Sequence, residues 1–418
     1  IKTVLEMNDP LANIEDETLE DVENSDGEID NQTEEISAQF DESKQSENFA
    51  FSDENEVAVE VDETVPTSSP YLKWSNYYKK ACKLIYDKNS TLEDFQKAEQ
   101  FLISESERGN ILATHDLGKL YFTEKLGVKD EEKSFNYYEK SLQGFIEIEP
   151  HSHSLIPYES KYPNPKSVDM HSYVCYRIGK MHCYGLGTKQ DDKQAFDWFL
   201  KSALEDNKFA QFSLANLYFY GNGVEKDLAK AFDWYLKSAN QGQPYASYAV
   251  AQIYAKGEVV EKNDKLAQKY YSQALDGFLV LEFNDQADDN LYYKIGAMYK
   301  NGLGTEVDVA KAIAYFKQSA ELNNKNGLYE YGKALFLGEH ISRDISGAME
   351  CLESSIKLGN INAKRFLALE YISGEHLEQN IEKGIVMLTE CADSGDAFAC
   401  YKLGKIYLSG KIVAKDLG

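Results

Sequence analysis

The sequence predicts an all-α fold: an α-solenoid of αα-hairpin repeats, about 36 residues each, preceded by a disordered acidic segment. Three observations predict it. Small or near-small reference residues recur at Cys82, Gly118, Gly179, Ala215, Ala251, Gly296, Gly332, Ala368 and Gly404, and 215 − 179, 251 − 215, 332 − 296, 368 − 332 and 404 − 368 all equal 36. Twelve positions after each stands Asp94, Asp130, Asp191, Asp227, Asn263, Asp308, Asp344, Asn380 or Asp416. Between these markers the apolar residues follow helical spacing rather than strand alternation.

The first element is acidic. Residues 1–70 hold 22 Asp+Glu and 2 Lys, which leaves 70 − 22 = 48 acids and 44 − 2 = 42 bases for the remainder. The net charge of −26 therefore divides into −20 before the array and −6 within it. A segment so charged, with Ser, Asn and Gln between its acids, cannot bury enough surface to fold alone, so residues 1–65 are expected to be a disordered linker. Ile14, Leu19, Ile36 and Phe40 could become a short amphipathic helix on binding.

The array occupies 71–418, and residues 208–243 show how one unit works. Ala210, Leu214, Leu217 and Tyr218 form the apolar stripe of a first helix over 208–220. Gly221 and Gly223 end it by their freedom at positive φ. Asp227 opens the second helix by accepting a bond from an orphaned backbone N–H. Ala231, Trp234, Tyr235, Ser238 and Ala239 form that helix's buried stripe, and Gly242 ends it. Four places after each capping position the residue stays small: Ala98, Ser134, Ala195, Ala231, Ala267, Ala312, Ala348, Gly384. Small side chains there imply close helix–helix approach beside a larger filler. The acidic row is thus a row of helix caps; no EF-hand spacing supports calcium.

Two inserts interrupt the rhythm. From Gly118 to Gly179 is 61, an excess of 25, and from Ala251 to Gly296 is 45, an excess of 9. They fall near 149–173 and 279–290, each after a second helix expected to lengthen before its loop. Pro150, Pro157, Pro163 and Pro165 predict an irregular first insert. Inserts on one face of an array are often where it meets a partner.

The pattern Leu214-Ala215, Tyr218, Gly221, Gly223-Val224, Asp227, Lys230-Ala231, Trp234-Tyr235, Lys237-Ser238-Ala239, Gly242, Ala246 resembles a Sel1-like repeat, in frame from about residue 76 to the end. The resemblance implies a right-handed α-solenoid related to tetratricopeptide arrays, serving as a scaffold for protein partners. Cys82, Glu124 and Lys208 depart from the repeat pattern and put local loop geometry in doubt. The inserts, with Thr114-His115-Asp116-Leu117-Gly118, Tyr176-Arg177-Ile178-Gly179-Lys180-Met181 and Tyr293-Lys294-Ile295-Gly296-Ala297-Met298-Tyr299, also resemble the array found after the relaxase domain of bacterial conjugative mobilization proteins. That resemblance implies bacterial cytoplasm and DNA-transfer machinery, with any relaxase catalytic domain upstream of Ile1. The chain's start without Met and its stop just after Asp416 are expected of a fragment.

Function classes narrow accordingly. No stretch of about 18 uncharged apolar residues predicts a membrane span. Acids cancel the array's lysines, so direct nucleic-acid binding is not expected. Phosphate-loop, G-x-S-x-G and H-E-x-x-H motifs are absent, and no enzyme activity or cofactor is expected. Cys82, Cys175, Cys183, Cys351, Cys391 and Cys400 lack framework spacing, as in a reducing compartment. His151, His153, His171 and Cys175 carry ligand-type side chains, but their loose spacing suits exposed loop histidines, and no metal is expected. A metal-dependent enzyme using the 149–173 insert is the alternative, as is a stand-alone regulatory adaptor.

A binding surface remains. Positions three before and one after the reference residue should partly line the concave face: Tyr176, Lys180, Phe212, Asn216, Tyr248, Gln252, Tyr293, Tyr329 and Lys333. Ala297, Tyr401 and Lys405 stand in the same frame. Aromatics beside polar groups suit capture of a peptide or helix from a protein partner. The same rings could instead wedge neighbouring repeats together.

Overall fold

The computed structural model describes residues 70–72, 74–87, 89–154, 170–284 and 286–409. The expected acidic linker 1–65, the capping Asp416 and the middle of the first insert lie outside them. Among the described residues there are seventeen α-helices: α1 (Asn76–Tyr86), α2 (Leu92–Glu107), α3 (Ile111–Phe122), α4 (Glu131–Ile148), α5 (Met170–Tyr184), α6 (Asp192–Leu204), α7 (Lys208–Tyr220), α8 (Leu228–Asn240), α9 (Pro244–Lys256), α10 (Asp264–Phe283), α11 (Asp289–Asn301), α12 (Val309–Glu321), α13 (Lys325–Leu337), α14 (Ile345–Lys357), α15 (Ile361–Ser373), α16 (Ile381–Asp393) and α17 (Ala397–Ser409). Short 3-10 turns stand at Glu124–Leu126 and Glu149–Ser154. Consecutive helices pair into hairpins, and the hairpins stack as an all-α solenoid within two compact units, one ending at Gly277 and one beginning at Phe278.

The acidic row is a row of caps. Asp130, Asp191, Asp227, Asn263, Asp308, Asp344 and Asn380 each accept from the backbone N–H three residues on, at 2.9–3.0 Å. Asp94 is the exception. Thr91 caps α2, and Asp94 returns a bond from its third helical position to the Thr91 N–H at 2.9 Å, closing a capping box.

The reference residues are small because a large side chain lies on them. A Cβ on Gly179 would sit 2.7 Å from the Phe199 ring, and one on Gly296 2.7 Å from Phe316. The filler stands twenty places after its reference residue in the same hairpin (199 − 179 and 316 − 296). A second set of bonds ties the end of a second helix to the start of the first helix of its own hairpin. Ser202, Ser238, Ser319 and Ser355 donate to the carbonyls of Ser172, Lys208, Asp289 and Lys325 at 2.6–2.7 Å. Cys391 repeats the contact to Ile361 O at 3.9 Å.

The helices before both inserts are lengthened, to 18 residues in α4 and 20 in α10 against 13 in α8. Pro157, Pro163 and Pro165 of the first insert lie outside the described residues. Pro150 lies in the first turn of a 3-10 segment, where its fixed φ is tolerated, and His171–Tyr173 already belong to α5. The departure at Glu124 also has a local solution: the 3-10 turn carries the chain to Gly127, which takes the left-handed φ of +88°. Among the described residues no helix is long and apolar enough to cross a membrane.

Candidate partner-binding surface

The first helix of each hairpin has to be apolar on more than one side, because it touches its own second helix and both neighbouring hairpins. The aromatic positions of the frame fall at these junctions. Tyr176 on α5 lies 5.8 Å from Phe199 of its own hairpin and 6.0 Å from Phe209 of the next. Phe212 on α7 repeats this with Tyr235 at 5.7 Å and Tyr245 at 6.3 Å. In the second unit Tyr293 packs on Phe316 at 5.8 Å, and Tyr329 meets the edge of Phe366 at 6.4 Å. Each ring thus wedges helices, yet Tyr176, Phe212, Tyr293 and Tyr329 keep part of their surface open to solvent.

The polar positions diverge. Lys180 is half-buried, its ammonium 5.8 Å from the Tyr176 ring centre and 5.7 Å from that of Tyr184. Asn216 accepts from the Tyr235 hydroxyl at 2.5 Å, so it fixes the core filler as well as facing outward. Lys333 is half-buried on α13. Tyr248 and Gln252 on α9 are buried at 8% and 5% exposure, with Tyr248 edge-on to Tyr271 at 5.4 Å. These two offer almost no surface to a partner. On α17 Lys405 stands 5.5 Å from the Tyr401 ring, in a hairpin whose capping Asp416 lies outside the described residues. The candidate surface is therefore a set of partly open rings beside lysines, within each unit separately.

Two side-chain clusters escaped the frame. Tyr78 donates to Asp116 Oδ2 at 2.8 Å, Cys82 Sγ lies 4.0 Å from the same oxygen, and His115 Nδ1 is 3.3 Å from Oδ1. The residue types suggest a thiol nucleophile, but burial and the Asp116 charge push the Cys82 thiol far above its ordinary pKa. Its contact is a carboxylate, which cannot activate it at neutral pH. Burial opposes the ionisation of Asp116, yet the His115 hydrogen bond and the charges of His115, Lys119 and Arg177 outweigh it and hold the carboxyl below its usual value. Elsewhere, burial and the bond to Glu99 raise the Tyr121 phenol in a depression also lined by Gln96, Lys129 and Lys133. Neither the Asp116 cluster nor the Tyr121 depression supplies an activated nucleophile.

The second cluster corrects the reading of the insert histidines. His151 is exposed as expected, but His171 is buried on α5. Its Nδ1 meets both oxygens of Glu205 at 2.7 and 2.8 Å, and its Nε2 meets Glu149 Oε1 at 3.2 Å. Burial lowers the imidazole's pKa, but the bonds to Glu205 and Glu149 raise it by more. Cys175 Sγ, one helical turn on, is 3.6 Å from Nε2. The His171–Cys175 spacing was visible in sequence; Glu149 and Glu205 carried no local signal.

Comparison with known proteins is consistent along the array. The Sel1 repeat pattern matches residues 111–143, 172–207, 208–243, 244–277, 291–324, 326–360, 361–396 and 397–418. The chain is similar to a protective antigen present in uropathogenic Escherichia coli strains that displays an SLR fold, at 25% identity over 80% of this chain and 64% of that one, with a TM-score of 0.45. It is also similar to a Sel1 repeat protein from Oxalobacter formigenes, at 27% identity over 62% of this chain and 94% of that one, with a TM-score of 0.43. The chain thus spans 64% of the length of the E. coli antigen. No curated protein matches the sequence.

Proposed function

The chain belongs to the Sel1 repeat family, whose members act as protein–protein interaction scaffolds, and from that membership we propose that it is a non-catalytic scaffold whose first-helix face captures a peptide or helix of a protein partner. The observation that carries this reading is the partly open rings one helical turn from half-buried lysines, at Tyr176 and Lys180 and at Tyr329 and Lys333. Rings held rigidly by inter-repeat packing lose little entropy when a partner covers them. Lysines over those rings suit a partner with acidic and apolar side chains. Tyr176, Lys180, Phe212, Asn216, Tyr293, Tyr329 and Lys333 would make the contacts, while buried Tyr248 and Gln252 would support them from within.

More narrowly, we propose that this scaffold is the adaptor region of a bacterial conjugative mobilization protein, acting in the cytoplasm. The stretches 114–118, 176–181 and 293–299 and the order of the two inserts support that reading. The six cysteines, none of them in a disulfide, suit a reducing compartment.

Affinity capture tests the proposal. The full chain and its Lys180→Glu, Lys333→Glu variant are used as baits in lysate of the source bacterium. The expected result is a protein retained by the parent and lost by the variant, with both baits equally helical by circular dichroism. Retention by both baits would refute the first-helix face as the binding surface.

A further inference from the structure

We propose that Glu149, His171 and Cys175 form a binding site for one divalent ion of the zinc class, with Glu205 orienting the imidazole. The ligand atoms of the three residues all lie within 4.8 Å of one another. The inference stands apart from the scaffold reading, because it rests on this cluster alone.

The geometry carries it. Tetrahedral zinc with nitrogen at about 2.0–2.1 Å, sulfur at about 2.3 Å and carboxylate oxygen at about 2.0–2.2 Å places nitrogen about 3.6 Å from sulfur and about 3.4 Å from oxygen. Here Nε2 is 3.6 Å from Cys175 Sγ and 3.2 Å from Glu149 Oε1. One imidazole nitrogen thus has both a thiol and a carboxylate converging on it, although it carries at most one hydrogen. A cation at the centre would draw on one lone pair from each of the three atoms at once. Glu205 supplies what a metal-bound histidine needs on its far side: a carboxylate on Nδ1, at 2.7 and 2.8 Å, fixes the tautomer that leaves Nε2 as the ligand atom. Lys201, 3.4 Å from Glu149 Oε1, offsets part of the negative charge.

The donor set selects the ion. Thiolate with imidazole and one carboxylate suits zinc, or cobalt in its place, rather than calcium or magnesium, which take oxygen ligands. Binding replaces the proton of the Cys175 thiol, so the site fills more tightly as pH rises. Glu149 lies just before residues 155–169 and His171 just after them, so the ion would tie together the two ends of the long insert.

Cobalt titration of the full chain, purified in chelator and then freed of it, tests the assignment. The expected result is one equivalent of Co²⁺ per chain, with thiolate-to-cobalt charge-transfer absorption in the near ultraviolet that Zn²⁺ abolishes by displacement. Cys175→Ser should lose the charge-transfer absorption, and Cys391→Ser, remote in the second unit, should keep it. Glu205→Gln should retain the absorption but weaken binding by about 10–100-fold. Failure of the parent chain to take up cobalt, or charge-transfer absorption that survives Cys175→Ser, would overturn the site. Should Cys175→Ser not fold, Glu205→Gln decides: unchanged affinity in that variant overturns the proposal, and the expected weakening supports it.

Discussion

Replacing Gly296 by Ala should destabilise the protein, although the same change in an ordinary helix stabilises it. The helical preference of Ala over Gly is about 0.8–1.0 kcal/mol. Against this, the new methyl would stand 2.7 Å from Phe316 Cδ1 and Cε1 and 3.2 Å from the backbone oxygen of Ala312. Favourable carbon contacts begin at about 3.5 Å, so the ring must withdraw by roughly 0.8 Å. It has little room: Phe316 is buried and rests on Tyr293 at 5.8 Å. Overpacking of this kind costs about 1–3 kcal/mol, which leaves a net loss of about 0–2 kcal/mol. Urea unfolding followed by circular dichroism measures it, since about 1 kcal/mol moves the midpoint by about 0.3–1 M. One control gives the argument its sign. In a Phe316→Leu background the clash is relieved, and Gly296→Ala should become neutral or stabilising. A rise in midpoint for Gly296→Ala in the otherwise unchanged chain would refute the close approach of α11 and α12.

The serines that tie the two helices of a hairpin give a second expectation: Ser319→Ala should cost about 0.5–1.5 kcal/mol by removing the bond to Asp289 O, whereas Cys391→Ser, which restores the ladder's usual residue, should leave the urea midpoint unchanged or raised. Asn324→Ala removes a cap that serves Asn326 N and Gly327 N and also the amide bonds to Asp289 and Asn290, so calorimetry should show a loss of about 2–3 kcal/mol. The carboxyl of Asp116 has a folded pKa below its unfolded value, so its contribution is present above about pH 4 and lost as pH falls through the folded value. Asp116→Asn should therefore flatten the acid limb of stability below about pH 4, and an acid limb as steep as the parent's would show that another carboxyl governs it.

The hairpins were legible in the sequence because their signals are local. A cap needs an acceptor at one fixed offset, and Asp227 or Asp308 advertises it. Asp94 shows the limit: Thr91, three residues earlier, offers an equally good acceptor, and only the backbone decides which of them is the cap. The orientation of the aromatic row was not legible. Phe212 and Tyr248 share a frame position and each packs on the ring twenty-three residues later in its own hairpin, Tyr235 and Tyr271, yet only Tyr248 is buried, a difference that the repeat spacing does not encode. The His171 cluster was half legible. Its own helix supplies Cys175 at one turn's distance, but Glu149 and Glu205 arrive from 22 and 34 residues away, and the His151 of the expected set stays outside.

The most direct test of the scaffold account is hydrogen exchange on the full chain, with and without the partner that affinity capture retains. The account predicts slowed exchange in the first helices α5, α7, α11 and α13, with their second helices α6, α8, α12 and α14 unchanged. Slowed exchange confined to the second helices or to the acidic residues 1–65 would contradict it.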